Sequence, residues 1–343
     1  MALRKLTLIA AASLGALASL GVQAQTAAPS SSVTIWGVVD AFAGRQQLSG
    51  RDATTVVGSG GLTTSRVAFL GSEDLGGGLR ANFNLQMFLR PDSGDLGRFP
   101  GDVAFAGRST VGLSGNFGEF NMGRMNSPLF FTLMRQDVFG LAALGPMFQH
   151  MFPGGQPIAA PQAVTDSTIN NGLQYATPNF GGLRGAVHYG MSETSPHRGR
   201  SGYSLSYINQ GLDVAIAGDH IKAGPLVAGE SKQTSQLVSA SYDFGSFKLV
   251  GIAQRQKQEV LRNTYKIYNL GASIPVMGAH KVLVSYSHTD LDAVVGDRTR
   301  KTLALSYNHY LSKRTDLYVL ASSDKVSDLK RGTTLVGGIR HRF

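Results

Sequence analysis

Apolar and polar residues take turns along most of this chain. In "LRANFNLQMFLR", Leu79, Ala81, Phe83, Leu85, Met87 and Leu89 fall on one face of an extended strand. Arg80, Asn82, Asn84, Gln86, Phe88 and Arg90 fall on the other. A globular strand usually runs about 5–6 residues. This alternation is longer, and matches the roughly 9–11 residues of a tilted strand that crosses a bilayer.

The period recurs. Val67 and Phe69 oppose Arg66 and Ala68, and Val111 and Leu113 oppose Arg108, Thr110 and Ser114. Leu183, Val187 and Tyr189 oppose Arg184 and His188. Further along, Val282, Val284 and Tyr286 oppose Lys281, Leu283, Ser285 and Ser287, and Leu303, Leu305 and Tyr307 oppose Thr302, Ser306 and Asn308. A soluble sandwich also alternates, so the number and length of these segments carry the reading.

Two kinds of connection interleave. Short, turn-rich ones are "EDLGGG", "GNFGE", "PNFGG", "NQG", "DFGS", "VMGAH" and "LSKR". Longer, irregular ones run over 46–63, 91–103, 126–168, 192–199, 223–232, 259–262, 291–298 and 326–332. Together they divide the chain into 16 strands, an even number with tight turns at one end and long loops at the other. That predicts an all-β fold, a 16-stranded antiparallel transmembrane barrel. An unpaired backbone group in hydrocarbon costs several kcal/mol, so such a sheet must close on itself. Closure pairs the last strand with the first, over 33–44. In the terminal "TLVGGIRHRF", Leu335, Ile339 and Phe343 share one face while Arg340 and Arg342 share the other, and Phe343 falls at the interfacial girdle.

The N-terminus reads as a leader. Arg4 and Lys5 precede an apolar run over 6–20, and Val22-Gln23-Ala24 has the small-x-small form of a cleavage site. The run is shorter than the roughly 20 residues that span a bilayer as a helix. The expected organisation is a signal peptide over 1–24 and a barrel over 25–343. Loss of Arg4 and Lys5 lowers the formal net charge from +10 to +8, two cations fewer.

Composition changes the picture in three ways. Only 16% of residues are charged, against about 25% for soluble domains, which suits strands facing lipid on one side. Cysteine is absent, which excludes disulfides and thiolate metal sites. The basic balance suits an anionic membrane or an anion path; no Lys/Arg run exceeds two residues, so no nucleic-acid partner is expected.

"SSVTIWGVVDA", "TSRVAFLGSEDLGGGLRANFNLQ", "GRSTVGLSGNFGEFNMGR", "YATPNFGG", "LSKRTDLYV" and "GIRHRF" closely resemble the general porins of Gram-negative outer membranes, in their beta-proteobacterial form. The resemblance spans the mature chain. It implies a homotrimer of barrels, each with its own pore for small hydrophilic solutes and ions, set in outer-membrane lipid by the barrel-insertion machinery. It makes Phe343 part of a C-terminal insertion signal, and it implies a third loop folded inward to narrow the pore.

Parity places Arg66, Arg80, Arg90, Arg108 and Arg184 in the lumen, with Asp40 and Glu119 the clearest inward acids. A narrow tube lined by excess positive charge favours inorganic and organic anions. The third loop, 126–168, is dense in apolar residues, Phe130, Phe131, Phe139, Met147 and Phe148 among them. By the resemblance, Arg66 and Arg108 are basic wall positions facing that loop, and Gly107 and Thr168 stand where anion-selective members carry further arginines. The pore-lining and constriction candidates are Arg66, Arg108, Arg80 and Asp137, the last as the loop's acidic partner. No cofactor is expected. No G-x-S-x-G elbow, metal-spaced histidine pair or phosphate loop occurs, so the chain is not expected to be an enzyme. A barrel enzyme of lipase or protease type, and a channel specific for aromatic anions, stand as the alternatives.

Overall fold

The computed structural model describes residues 31–151, 167–192, 199–222, 232–259, 262–294 and 296–343. The expected signal peptide, 1–24, lies outside the described residues.

The first strands are β1 (Ser32–Gln46), β2 (Thr54–Ser59), β3 (Arg66–Gly76), β4 (Leu79–Arg90), β5 (Asp95–Leu96), β6 (Arg108–Gly115) and β7 (Gly118–Asn126). Two helices follow, α1 (Pro128–Gln136) and α2 (Pro146–Met151). Next come β8 (Thr168–Ala176), β9 (Leu183–Gly190), β10 (Arg200–Asn209), β11 (Leu212–Ile221), β12 (Gln233–Asp243) and β13 (Lys248–Gln258). The chain ends with β14 (Asn263–Val276), β15 (His280–Asp292), β16 (Arg298–Tyr310), β17 (Thr315–Val326) and β18 (Gly332–Arg342).

All pairings are antiparallel and the ring is closed. Strands β2 and β5 are short additions inside long connections. The other 16 form the barrel, as the alternation requires. At the 259–262 connection, expected among the longer ones, β13 and β14 stay paired out to Gln258 and Asn263. At the other end the turns use the backbone freedom their residues offer. Gln210 (φ 45°) and Gly211 (φ 86°) are both left-handed, which suits a two-residue hairpin linking Asn209 to Leu212.

Burial is inverted relative to a soluble protein. Leu303, Leu305, Val319 and Leu335 are at least half exposed, whereas Ser285, Ser287, Thr302 and Ser306 are fully buried. The outer face is made for hydrocarbon and the inner one for water and a packed loop.

The seam sits between β1 and β18, in register from Val38↔Arg342 to Arg45↔Leu335. Beyond it, Gly37 and Phe343 exchange two backbone hydrogen bonds of 3.0 Å. The Phe343 ring crosses Gly37 so closely that an added Cβ would lie 2.4 Å from its Cζ and 2.6 Å from the Arg66 carbonyl oxygen. Glycine is therefore required on the outward face of β1. Gly185 is also outward, but its added Cβ would meet nothing nearer than 3.6 Å. Gly37→Val is expected to lower the temperature at which the folded, fast-migrating barrel converts to unfolded chain in heated electrophoresis. Gly185→Val should leave that midpoint within a few degrees; equal midpoints for both variants would show that the seam does not depend on this contact.

Candidate functional site

After β7, helices α1 and α2 leave the wall and pack against its inward-facing side chains. Pro128 starts α1 where its missing N–H is harmless, and the Ser127 hydroxyl accepts from the Phe130 N–H at 3.2 Å. Leu129 and Leu133, with Met147 and Met151 of α2, join one cluster with Ala217, Leu237, Ile252 and Ile267. These four wall residues all have inward parity. Burying each large apolar side chain contributes roughly 1.5–3 kcal/mol, so the apolar density of the loop is its adhesive. Arg135 pairs with Asp213 of β11, and the Gln136 side-chain amide donates to the Asp213 carbonyl at 3.1 Å. Further on, Phe139, Ala142 and Leu144 pack against Phe42, Tyr318, Leu320 and Val336.

A charged latch holds α2. Arg300 is fully buried and forks onto the Asp324 carboxylate at 2.8 and 3.1 Å, while its Nη1 donates to the Gln149 carbonyl at 2.6 Å. The Thr302 hydroxyl donates to Asp324 at 2.6 Å, which leaves its oxygen to accept from His150 Nε2 at 2.8 Å. His150 Nδ1 then accepts from the Thr289 hydroxyl at 2.6 Å. Burial, reinforced by the neighbouring Arg300 guanidinium, holds His150 well below the ordinary histidine pKa, so it is neutral.

A second network holds the approach to β3. The Asp40 carboxylate accepts from the backbone N–H groups of Gly61, Leu62 and Thr63 at 3.1, 2.9 and 2.8 Å, and from the Tyr318 hydroxyl at 2.7 Å. Arg340 donates to Thr63 Oγ1 at 2.7 Å and forks onto Asp316 at 3.1 and 3.0 Å. This turn delivers Arg66.

The helices lie along β9–β12, β15 and β16. In the ring, β3, β4 and β6 stand across from β12–β14. That facing wall carries Arg66 and Arg108 on either side of β4, in register with Phe88 and Gln86. Arg66 lies 5.4 Å from the Phe88 ring centre and donates Nε–H to the Thr64 carbonyl at 2.9 Å. Arg108 donates Nε–H to Thr110 at 3.2 Å. Neither makes an ion pair with a described residue.

Other candidates fall elsewhere. Arg80 faces inward, but it lies six residues from Gln86 along β4, about 20 Å at roughly 3.3 Å per residue. It sits beside the short turn, where Nε–H donates to Ser72 at 2.9 Å, and so does not join Arg66 and Arg108. Arg90 is spent on Asp95 at 3.0 Å, and Glu119 accepts from the Asn121 amide at 2.8 Å near its own short turn. At Gly107 an added Cβ would lie 2.4 Å from the Gln86 amide nitrogen, so a longer residue there would have to displace the Gln86 side chain. Thr168 offers its carbonyl to Arg200 at 3.2 Å, and Arg200 in turn forks onto Asp219.

A family model for Gram-negative porins matches residues 6–329. The chain belongs to the Gram-negative porin family. It is similar to outer membrane porin protein 32 of Delftia acidovorans, at 36% identity over 89% of this chain and 87% of that one. Major outer membrane protein P.IB of Neisseria meningitidis serogroup B is 27% identical over 95% and 99%. Among solved structures, the anion-selective porin from Comamonas acidovorans superposes with a TM-score of 0.80 at 31% identity, covering 92% of this chain and all of that one. The porin's place is the outer membrane.

In this porin Asp137 is neither a partner of the wall arginines nor a solvated carboxylate. It caps α1, and its Oδ2 accepts from the Leu141 N–H at 2.9 Å. It is buried, and Oδ1 has no hydrogen-bond partner among the described residues; burial raises its pKa to about 6 against the backbone hydrogen bonds that oppose the rise. A carboxyl that binds its proton more tightly when folded stabilises the fold as pH falls from about 6 toward the ordinary value near 3.9. Between pH 7 and 5 the wild-type heat midpoint should therefore gain from this group, and Asp137→Asn should remove that gain while leaving ion preference unchanged. A shift of reversal potential in Asp137→Asn would instead place the carboxylate on the ion path.

The latch residues Arg300 and Asp324 were legible as inward by the same parity that gave Arg66, but not as a pair. Arg300→Met leaves a buried carboxylate uncompensated, which typically costs about 3–5 kcal/mol. It is expected to lower the heat midpoint and add current noise in planar bilayers. Joint replacement, Arg300→Met with Asp324→Leu, should recover most of the loss.

Proposed function

We propose that this porin forms an anion-preferring channel for small hydrophilic solutes, with the constriction between the third loop and the Arg66–Arg108 wall. The observation that carries the reading is an imbalance of charge. Arg200, Arg300 and Arg340 are matched by Asp219, Asp324 and Asp316. Arg66 and Arg108 make no ion pair with a described residue, Arg108 feeling only the more distant Glu119 charge, and Asp137, the loop's one acid within 127–151, is turned into its own backbone. Guanidinium stays charged across the accessible pH range. Two such groups in a narrow aqueous path raise the local anion concentration. The anion selectivity named for the Comamonas acidovorans structure supports the same reading.

The channel is expected to favour chloride over potassium, less so as salt rises, because the Debye length falls from about 10 Å at 0.1 M to about 3 Å at 1 M. Arg66→Glu should move the reversal potential under a salt gradient toward cations, and do so more than Arg342→Glu near the short-turn end. An Arg66→Glu porin that assembles and conducts with unchanged ion preference would remove Arg66 from the constriction.

Assembly as a homotrimer, insertion by the barrel-insertion machinery through Phe343, and the absence of catalysis belong to the same proposal. Phe343 closes the seam and presents its ring to the lipid face, which suits an insertion signal. Phe139, 4% exposed, and the half-buried Phe130 and Phe148 packed on the loop's core serve anchoring rather than a slide for aromatic anions. Purified porin is expected to release no fatty acid from phospholipid.

A further inference from the structure

The connection between β4 and β6 turns back along β4. Strand β5 pairs with the end of β4, Leu96 opposite Leu89 and Asp95 opposite Arg90. The next residue, Gly97, donates its N–H to the Phe88 carbonyl at 2.8 Å. Its backbone is left-handed (φ 86°), and an added Cβ would lie 2.7 Å from the Asp102 Cβ, so glycine closes the turn over 97–102. That turn sets the Arg98 guanidinium carbon 5.4 Å from the centre of the inward-facing Phe88 ring. Arg66 lies at the same distance from the same ring. One aromatic ring thus carries two guanidiniums. Their central carbons are within about 11 Å of each other, close to one Debye length at 0.1 M salt.

The two cations differ in their counter-charge. Arg66 donates to the Thr64 carbonyl and makes no ion pair with a described residue. Arg98 forks onto Asp102 through Nε at 2.8 Å and Nη2 at 3.0 Å. Asp102 also accepts from the backbone N–H groups of Arg98 and Val103 at 3.0 and 3.1 Å. Those two backbone donors hold the carboxylate in place even without the guanidinium. The pairs of Arg200, Arg300 and Arg340 tie strand to strand. Arg98 and Asp102 instead share one turn, four residues apart, so a change of charge there leaves the wall's hydrogen bonds intact.

We propose that Arg98 and Asp102 are specificity-determining residues of this channel: the Asp102 carboxylate offsets part of the positive field at the constriction, and the second loop thereby sets how strongly anions are preferred. The inference rests on the constriction lying at the Arg66–Arg108 wall. A unit charge roughly 11 Å from the ion path, screened at 0.1 M salt, acts with opposite sign on chloride and potassium, and the two effects multiply in the permeability ratio. The low-dielectric wall concentrates the field further, so one charge should change that ratio by about 1.5-fold or more.

The test is the reversal potential of detergent-purified porin in planar bilayers under salt gradients centred on 0.1 M and on 1 M. Asp102→Asn is expected to raise the chloride-to-potassium ratio by about 1.5-fold or more at the lower salt, and Arg98→Gln to lower it by a similar factor. The double variant should return to the wild-type ratio, and each single shift should shrink at the higher salt. Opposite shifts are the signature of charge. A role confined to holding the turn would move both single variants the same way, and that result would overturn the inference. Arg66→Glu, measured alongside, separates the two readings. If it shifts the ratio while Asp102→Asn and Arg98→Gln do not, the constriction stands and the second loop lies off the ion path. If none of the three shifts it, both readings fall. Should the single variants fail to assemble, Phe99→Glu places a charge in the same turn, at a position 53% exposed with its ring 5.4 Å from the Arg98 guanidinium carbon. It is expected to lower the ratio, and an unchanged ratio would again overturn the inference.

Discussion

Everything in this molecule follows from the rule that backbone groups in hydrocarbon must find partners within the protein. A sheet obeys it only by joining its first and last strands, and here the join is made by β1 and β18 with Gly37 and Phe343 beyond them. Closure fixes which face of every strand meets lipid. It also leaves a lumen that side chains alone do not fill, so the long connection after β7 has somewhere to go.

Filling that lumen has an electrostatic consequence. The loop is seated by apolar contacts along β11–β14 and by buried charge along β16 and β17. A buried guanidinium is tolerable only when its donors are satisfied, and Arg300 meets that condition through Asp324 and Gln149. Arg200 and Arg300, on the loop's side of the barrel, are thus consumed by structure. On the facing wall the aromatic ring of Phe88 and the Thr64 carbonyl hold the guanidinium of Arg66 in place without neutralising it. Asp40 contributes from a distance, because it gathers the N–H groups of 61–63 and so sets where Arg66 begins its strand.

Much of this was legible in the sequence, for a reason that also sets the limit. Period two reports the face of a strand, so the barrel, its closure and the inward row of arginines follow from the order of residues alone. Period two says nothing of height. Arg80 and Arg66 share a face, yet only the register of β4 shows them far apart. Nor does it reveal partners. Asp324 and Ser49 are 275 positions apart and meet at 3.0 Å through a backbone N–H. Bulges defeat it as well: the register shift between Gly123 and Met125 removes Arg124 from the simple alternation, and its Nε donates to the Ala106 carbonyl at 3.0 Å. Asp137 was misplaced because a lone acid in a loop facing arginines suggests pairing, while the backbone of its own turn was nearer.

The net charge of the chain is a poor guide to its field. A formal +10 could describe a uniformly basic protein, but the cations here fall into three populations with different work. Those paired within the lumen contribute stability and almost no long-range potential, since each lies within about 3 Å of a carboxylate. Those on the outer rim act on whatever lies beside the barrel, separated from the pore by the wall and by screening over about 10 Å at 0.1 M salt. Only the cations left unpaired inside act on a permeating ion, and they act strongly because the low-dielectric wall focuses their field into the water path. Selectivity is therefore decided by where carboxylates are absent, more than by how many arginines are present.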